Sequence, residues 1–65
     1  MTLSEYLFEE RTKRCYSKKE MAQLLGISNA LYVYMEKDKY IPKPATIRKL
    51  ANVLGVPVNE ITKLL

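Results

Sequence analysis

The sequence predicts an all-α fold, a compact arrangement of five short helices. Three observations carry that prediction: apolar residues recur three or four positions apart almost everywhere, runs of β-branched residues are absent, and Ser, Gly and Pro punctuate the chain where helices would begin and end. At 65 residues the chain is read as one domain, residues 1–65, and a domain this small buries only about 60% of the surface that its unfolded chain exposes. Its single cysteine and lack of histidine exclude an intrachain disulfide and the usual zinc spacings. Helix packing, helped by dimerisation, is then what remains to stabilise it.

A first helix is expected from Thr2, whose hydroxyl caps while Glu5 completes a capping box, to about Arg14. Leu3, Leu7 and Arg11 fall at i, i+4 and i+8 and share one face. A second helix is bounded by Ser17, with Glu20 closing its box, and by Gly26; its apolar stripe is Met21, Ala22 and Leu25. Glycine suits the sharp turn there because it enters the left-handed region without a Cβ penalty. Ser28 caps a third helix, from Asn29 to about Lys37, which turns Tyr32, Met35 and Glu36 inward. Residues 39–43 form a loop. Pro44 opens a fourth helix at the first helical position, and Ile47, Leu50, Ala51 and Leu54 repeat at core spacing until Gly55. A last short helix spans about Val58 to Leu64. Ile61 belongs to the core, while Leu64 and Leu65 suit either the core or a contact between copies.

The net charge is +4, and its distribution is uneven. Residues 1–12 carry Glu5, Glu9 and Glu10 against Arg11, a balance of −2, and residues 13–49 carry nine bases against Glu20, Glu36 and Asp38, a balance of +6. A basic middle segment suits a polyanion, since Lys and Arg that neutralise phosphates release counterions. No apolar run approaches the roughly 20 residues that span a bilayer, and no basic-then-apolar leader opens the chain, so a cytoplasmic protein with no membrane partner is expected. Cys15 then stays reduced and reads as a bland residue near a helix end. Without histidine, a convergent second carboxylate or a nucleophile, no enzyme is expected. Neither is a cofactor, a metal or a small-molecule ligand.

The informative stretch is SKKEMAQLLGISNALYVYMEKDK, from Ser17 to Lys39, in which two capped helices of about eight residues are separated by Gly26, Ile27 and Ser28. This is a helix-turn-helix plan, with the motif at about 17–38. Ala22 is small enough for the third helix to approach the second closely, Gly26 makes the turn, and Ile27 fills the angle between the helices. Together with Met35, Glu36, Lys39, Pro42, Leu50, Ala51, Leu54, Gly55 and Val56, these residues resemble the phage repressor and Cro (XRE-like) family over nearly the whole chain. The resemblance implies a five-helix lambda-repressor-like fold and a sequence-specific, repressor-like transcriptional regulator of a phage or mobile element. It implies double-stranded DNA as partner, bound as a homodimer on an inverted repeat. It also implies an ion pair between Arg11 and Glu36, structural rather than catalytic.

In the docking mode of this family the second helix of the motif enters the major groove by its N-terminal part, while the first crosses the backbone. Asn29, Ala30, Val33 and Tyr34 are then the candidates for base contact: the Asn29 carboxamide can pair with an adenine edge, Ala30 and Val33 can pack on thymine methyls, and Tyr34 can donate its hydroxyl. Ser17, Lys18, Lys37, Lys39 and Lys43 are the candidates for phosphate contact. Lys13, Lys19, Arg48 and Lys49 read as solvated surface. Three positions depart from the family pattern. The outer face of the third helix is apolar, Asp38 replaces a glycine at its end, and Arg14 stands where an apolar residue sometimes packs. The apolar face supports an alternative, a protein-binding module such as an antirepressor or a regulatory protein's partner, using Leu31, Val33, Tyr34, Tyr40 and Phe8.

Overall fold

Five helices form in the order α1 (Leu3–Lys13), α2 (Lys18–Leu25), α3 (Asn29–Glu36), α4 (Pro44–Leu54) and α5 (Val58–Thr62), and no strand, in the computed structural model, which describes residues 1–65. Their starts follow the local chemistry. Thr2 and Ser17 each accept from the amide three residues on, while Glu5 and Glu20 accept from the Thr2 and Ser17 amides, so α1 and α2 open with full capping boxes. Ser28 caps α3 through the Leu31 amide. At α4, Pro44 occupies the first turn and Lys43 offers no side-chain cap. Three helix ends fall one or two residues before their expected positions. The last turns there tighten to i→i+3 bonds, as in Leu64 N–H to Ile61 O at 3.0 Å.

Leu3 and Leu7, then Met21, Ala22 and Leu25, then Tyr32 and Met35, then Ile47, Leu50, Ala51 and Leu54, and finally Ile61 are buried together as one core. Each comes from the apolar stripe of its helix, and each helix contributes at least one. Leu64 packs partly against this core, whereas Leu65 is 54% exposed. The whole measures 25 × 23 × 22 Å.

The four longer helices end in the same way. After each, a residue in the left-handed region lets two successive amides bond back to helix carbonyls: Gly26 to Gln23 O and Ile27 to Ala22 O, Gly55 to Asn52 O and Val56 to Ala51 O. At the other two ends the left-handed residue is Cys15, φ 59°, and Asp38, φ 60°, with Tyr16 N–H bonded to Arg11 O and Lys39 N–H to Tyr34 O. A side chain in that region costs about 1–2 kcal/mol, less for Asp, which tolerates it. Glycine costs about 0.5–1 kcal/mol more entropy than alanine when it is ordered. Cys15→Gly should therefore raise stability by several tenths of a kcal/mol to about 1 kcal/mol, and Asp38→Gly by less, read as a rise in the urea midpoint at unchanged m-value. A fall in midpoint for Cys15→Gly would refute the strain assigned to that turn.

Arg14 has a use of its own. Its guanidinium donates to Glu10 O and Glu10 Oε1 at 2.9 Å each, and to Leu54 O at 2.6 Å. The polar side chain thus spans the C-terminal ends of α1 and α4, where cations are favoured by both helix dipoles. Lys13 and Arg14 together hold the Glu10 carboxyl below the ordinary glutamate value, chiefly by hydrogen bonding.

Candidate nucleic-acid interface

The groups that face DNA in helix-turn-helix docking are set by α2, α3 and the loop before α4. The angle between α2 and α3 is fixed from inside: Met21, Ala22 and Leu25 pack with Tyr32 and Met35, and Ile27 packs partly against the same core. Gly26 turns the chain at φ 70°. This leaves Asn29 and Ala30 exposed at the N-terminal end of α3, with Tyr34 50% exposed a turn later and Lys37 exposed at the far end. Val33 is half-buried rather than fully outward, because the packing of α3 rotates its outer face toward Ala30 and Tyr34. The Asn29 and Ala30 amides make no hydrogen bond within the chain, as expected for the first donors of a helix.

Lys18, Lys39 and Lys43 are all exposed. The Lys18 and Lys19 amides also lack partners within the chain, whereas the Ser17 amide is occupied by Glu20 Oε1 at 2.7 Å. Ser17 can therefore meet a phosphate only through its hydroxyl, and the open backbone donors at α2 belong to the two lysines. The start of α4 adds a feature that residue type alone had not singled out: Pro44 offers no amide N–H, and the first amides after it have no side-chain cap, next to Lys43. Asp38 lines a cleft with Thr2, Leu3 and Tyr40. It lies nine positions after Asn29, about 13 Å along a helix, so its charge stands away from the N-terminal end of α3.

Arg11 and Glu36 hold α3 against α1. Arg11 Nε donates to Glu36 Oε2 at 2.6 Å and Nη2 to Glu36 Oε1 at 3.2 Å, with side chains only 11% and 5% exposed. Arg11 Nη1 donates to Tyr16 O at 2.8 Å, and the guanidinium lies 5.6 Å from the Phe8 ring centre. The Glu36 hydrogen bond raises the Arg11 pKa, so this cation stays charged at every working pH. Beneath the pair, the Tyr32 hydroxyl is buried and makes no hydrogen bond. Burial first, and then the nearby Glu36 carboxylate, push the phenol far above its usual value.

The apolar side chains of the protein-binding alternative fall on several elements. Tyr40 packs on the core and lines a cleft with Ile41, Leu64 and Leu65, while Phe8 lines a separate groove with Ser4, Glu5 and Glu9. Leu31, Val33 and Tyr34 belong to neither. Of the lysines read as solvated, Lys13 is exposed while pairing with Glu10 at 2.8 Å, and Lys49 is exposed with its ammonium near the α2–α3 turn. No helix is long and apolar enough to cross a membrane.

The chain is 39% identical over 62 residues to the SPbeta prophage-derived uncharacterized HTH-type transcriptional regulator YonR of Bacillus subtilis (strain 168), a match covering 88% of this chain and 57% of that protein. It is 35% identical over 51 residues to the cryptic phage CTXphi transcriptional repressor RstR of Vibrio cholerae, covering 78% of this chain and 46% of the repressor. The chain thus spans about half the length of the curated relatives it matches. The helix-turn-helix family model matches residues 7–61, from the last core leucine of α1 to the core isoleucine of α5. With three helices capped by Thr2, Ser17 and Ser28, the left-handed turn at Gly26 and that match, the chain belongs to the helix-turn-helix family of the phage repressor type.

Proposed function

We infer that the chain is a sequence-specific, repressor-like DNA-binding regulator that works as one helix-turn-helix domain and inserts the Asn29 end of α3 into the major groove. The observation that carries this is the exposed N-terminal end of α3. There Asn29 and Ala30 are exposed with two unpartnered amides, and the lysines of α2 and of the loop before α4 are exposed as well. Asn29, Ala30 and Tyr34 read bases, with Val33 at the margin. Lys18, Lys39 and Lys43 hold phosphates, joined by the Ser17 hydroxyl and Lys37. One motif reads a short half-site, so two copies with α3 helices about 34 Å apart, on an inverted repeat, supply specificity. The names of the two relatives, a transcriptional regulator and a repressor, point the same way.

Binding to duplex DNA should weaken linearly with log salt concentration, and Lys18→Ala should lower the slope by about 0.9, the value for one phosphate contact on B-DNA. Anisotropy titrations at several salt concentrations measure it. No binding at low salt to any fragment from the source genome would sink the proposal.

A further inference from the structure

Lys49 lies on α4 between the buried Ile47 and Leu50, and is itself exposed. Its ammonium reaches across to the α2–α3 turn: a Cβ built on Gly26 would meet Lys49 Nζ at 3.2 Å. Residues 21–35 hold no charged side chain, and α2 has no basic residue in its last turn. Lys49 is thus the cation that α4 lends to a neutral stretch. It has no carboxylate partner, since the ion pairs of the chain are Arg11–Glu36, Lys13–Glu10 and Arg14–Glu10. The turn it approaches carries the partial negative charge of the α2 C-terminal carbonyls. Two of those, Ala22 O and Gln23 O, already accept from the Ile27 and Gly26 amides.

The turn stands two residues before Ser28, the cap of α3, so this unpaired cation lies at the turn that leads into the helix assigned above to the groove. We propose that Lys49 is a phosphate anchor: α4 contributes a backbone contact at the edge of the recognition helix, separate from that of the loop at its own start. Glycine at position 26 leaves room for the ammonium to lie against the turn. This proposal rests on the DNA-binding reading above.

The test uses the full chain and a mixed-sequence duplex of about two helical turns, titrated by fluorescence anisotropy between about 50 and 200 mM salt. Non-specific binding there reports phosphate contacts. Lys49→Gln should lower the salt slope by about 0.9, Lys49→Arg should restore it, and Lys63→Gln, beyond α5, should leave it unchanged. A thermal melt of each variant checks folding. If Lys49→Gln keeps the original slope, whether or not its melting midpoint drops, the ammonium serves only the end of α2 and the proposal is overturned. Loss of slope in Lys18→Ala but not in Lys49→Gln overturns this inference alone. Absence of salt-dependent binding by the unsubstituted chain overturns the DNA-binding reading with it.

Discussion

Replacing Glu36 with alanine should destabilise the chain by about 3–5 kcal/mol, and Arg11→Ala by a similar amount, because each leaves a partly buried charge without its partner. The geometry sets this apart from a surface ion pair, which contributes about 0–1 kcal/mol: two hydrogen bonds join the side chains, and both are close to nine-tenths buried or more. Arg11 also donates to Tyr16 O, so its loss leaves that carbonyl in the α1–α2 turn without this donor. Small domains hold only about 5–15 kcal/mol in total, and either variant should unfold at much lower urea, followed by circular dichroism. The double replacement Arg11→Met with Glu36→Leu should recover most of the loss, since an apolar pair of similar volume leaves no charge uncompensated. If the single variants lose less than about 1 kcal/mol, the pair is screened by solvent and does not hold α3 in place.

Asn29→Ala should weaken binding to a cognate operator, recovered by selection from random duplexes, by about 1–3 kcal/mol, or roughly 5- to 150-fold. The carboxamide stands exposed on the first turn of α3, where a donor and an acceptor can meet one adenine edge together. Because no charge is removed, the salt slope and the affinity for mixed-sequence DNA should not change. That separates it from Lys18→Ala, which weakens all sequences alike. An equal loss on cognate and mixed DNA would show that Asn29 only positions the helix, and would move base readout to Ala30 and Tyr34.

Most of the architecture was legible because its causes are local. The reciprocal boxes at Thr2 and Ser17 need only a residue three positions on, and the core stripes of α2 and α4 follow from spacing. The contact of Arg14 with Leu54 O was not legible, because its partner lies forty residues away and nothing in a lone arginine names a carbonyl. Cys15 in a left-handed turn was missed for a different reason. Cysteine has no preference for that conformation; the tight reversal that joins α1 to α2 imposes it. The half-burial of Val33 likewise depends on how α3 rotates against α1 and α2, which periodicity over eight residues leaves open. That the exposed Lys49 reaches toward the α2–α3 turn was not legible, because the turn belongs to another part of the chain.

The bridge from Arg14 to Leu54 O also bears on how the molecule opens. Helix ends normally fray independently, each over its last turn. Here one guanidinium is shared between the last turns of α1 and α4, so loosening either withdraws a donor from the other. Fraying at the end of α1 is therefore coupled to fraying at the end of α4 through one side chain, while Ile61 ties α5 to the common core.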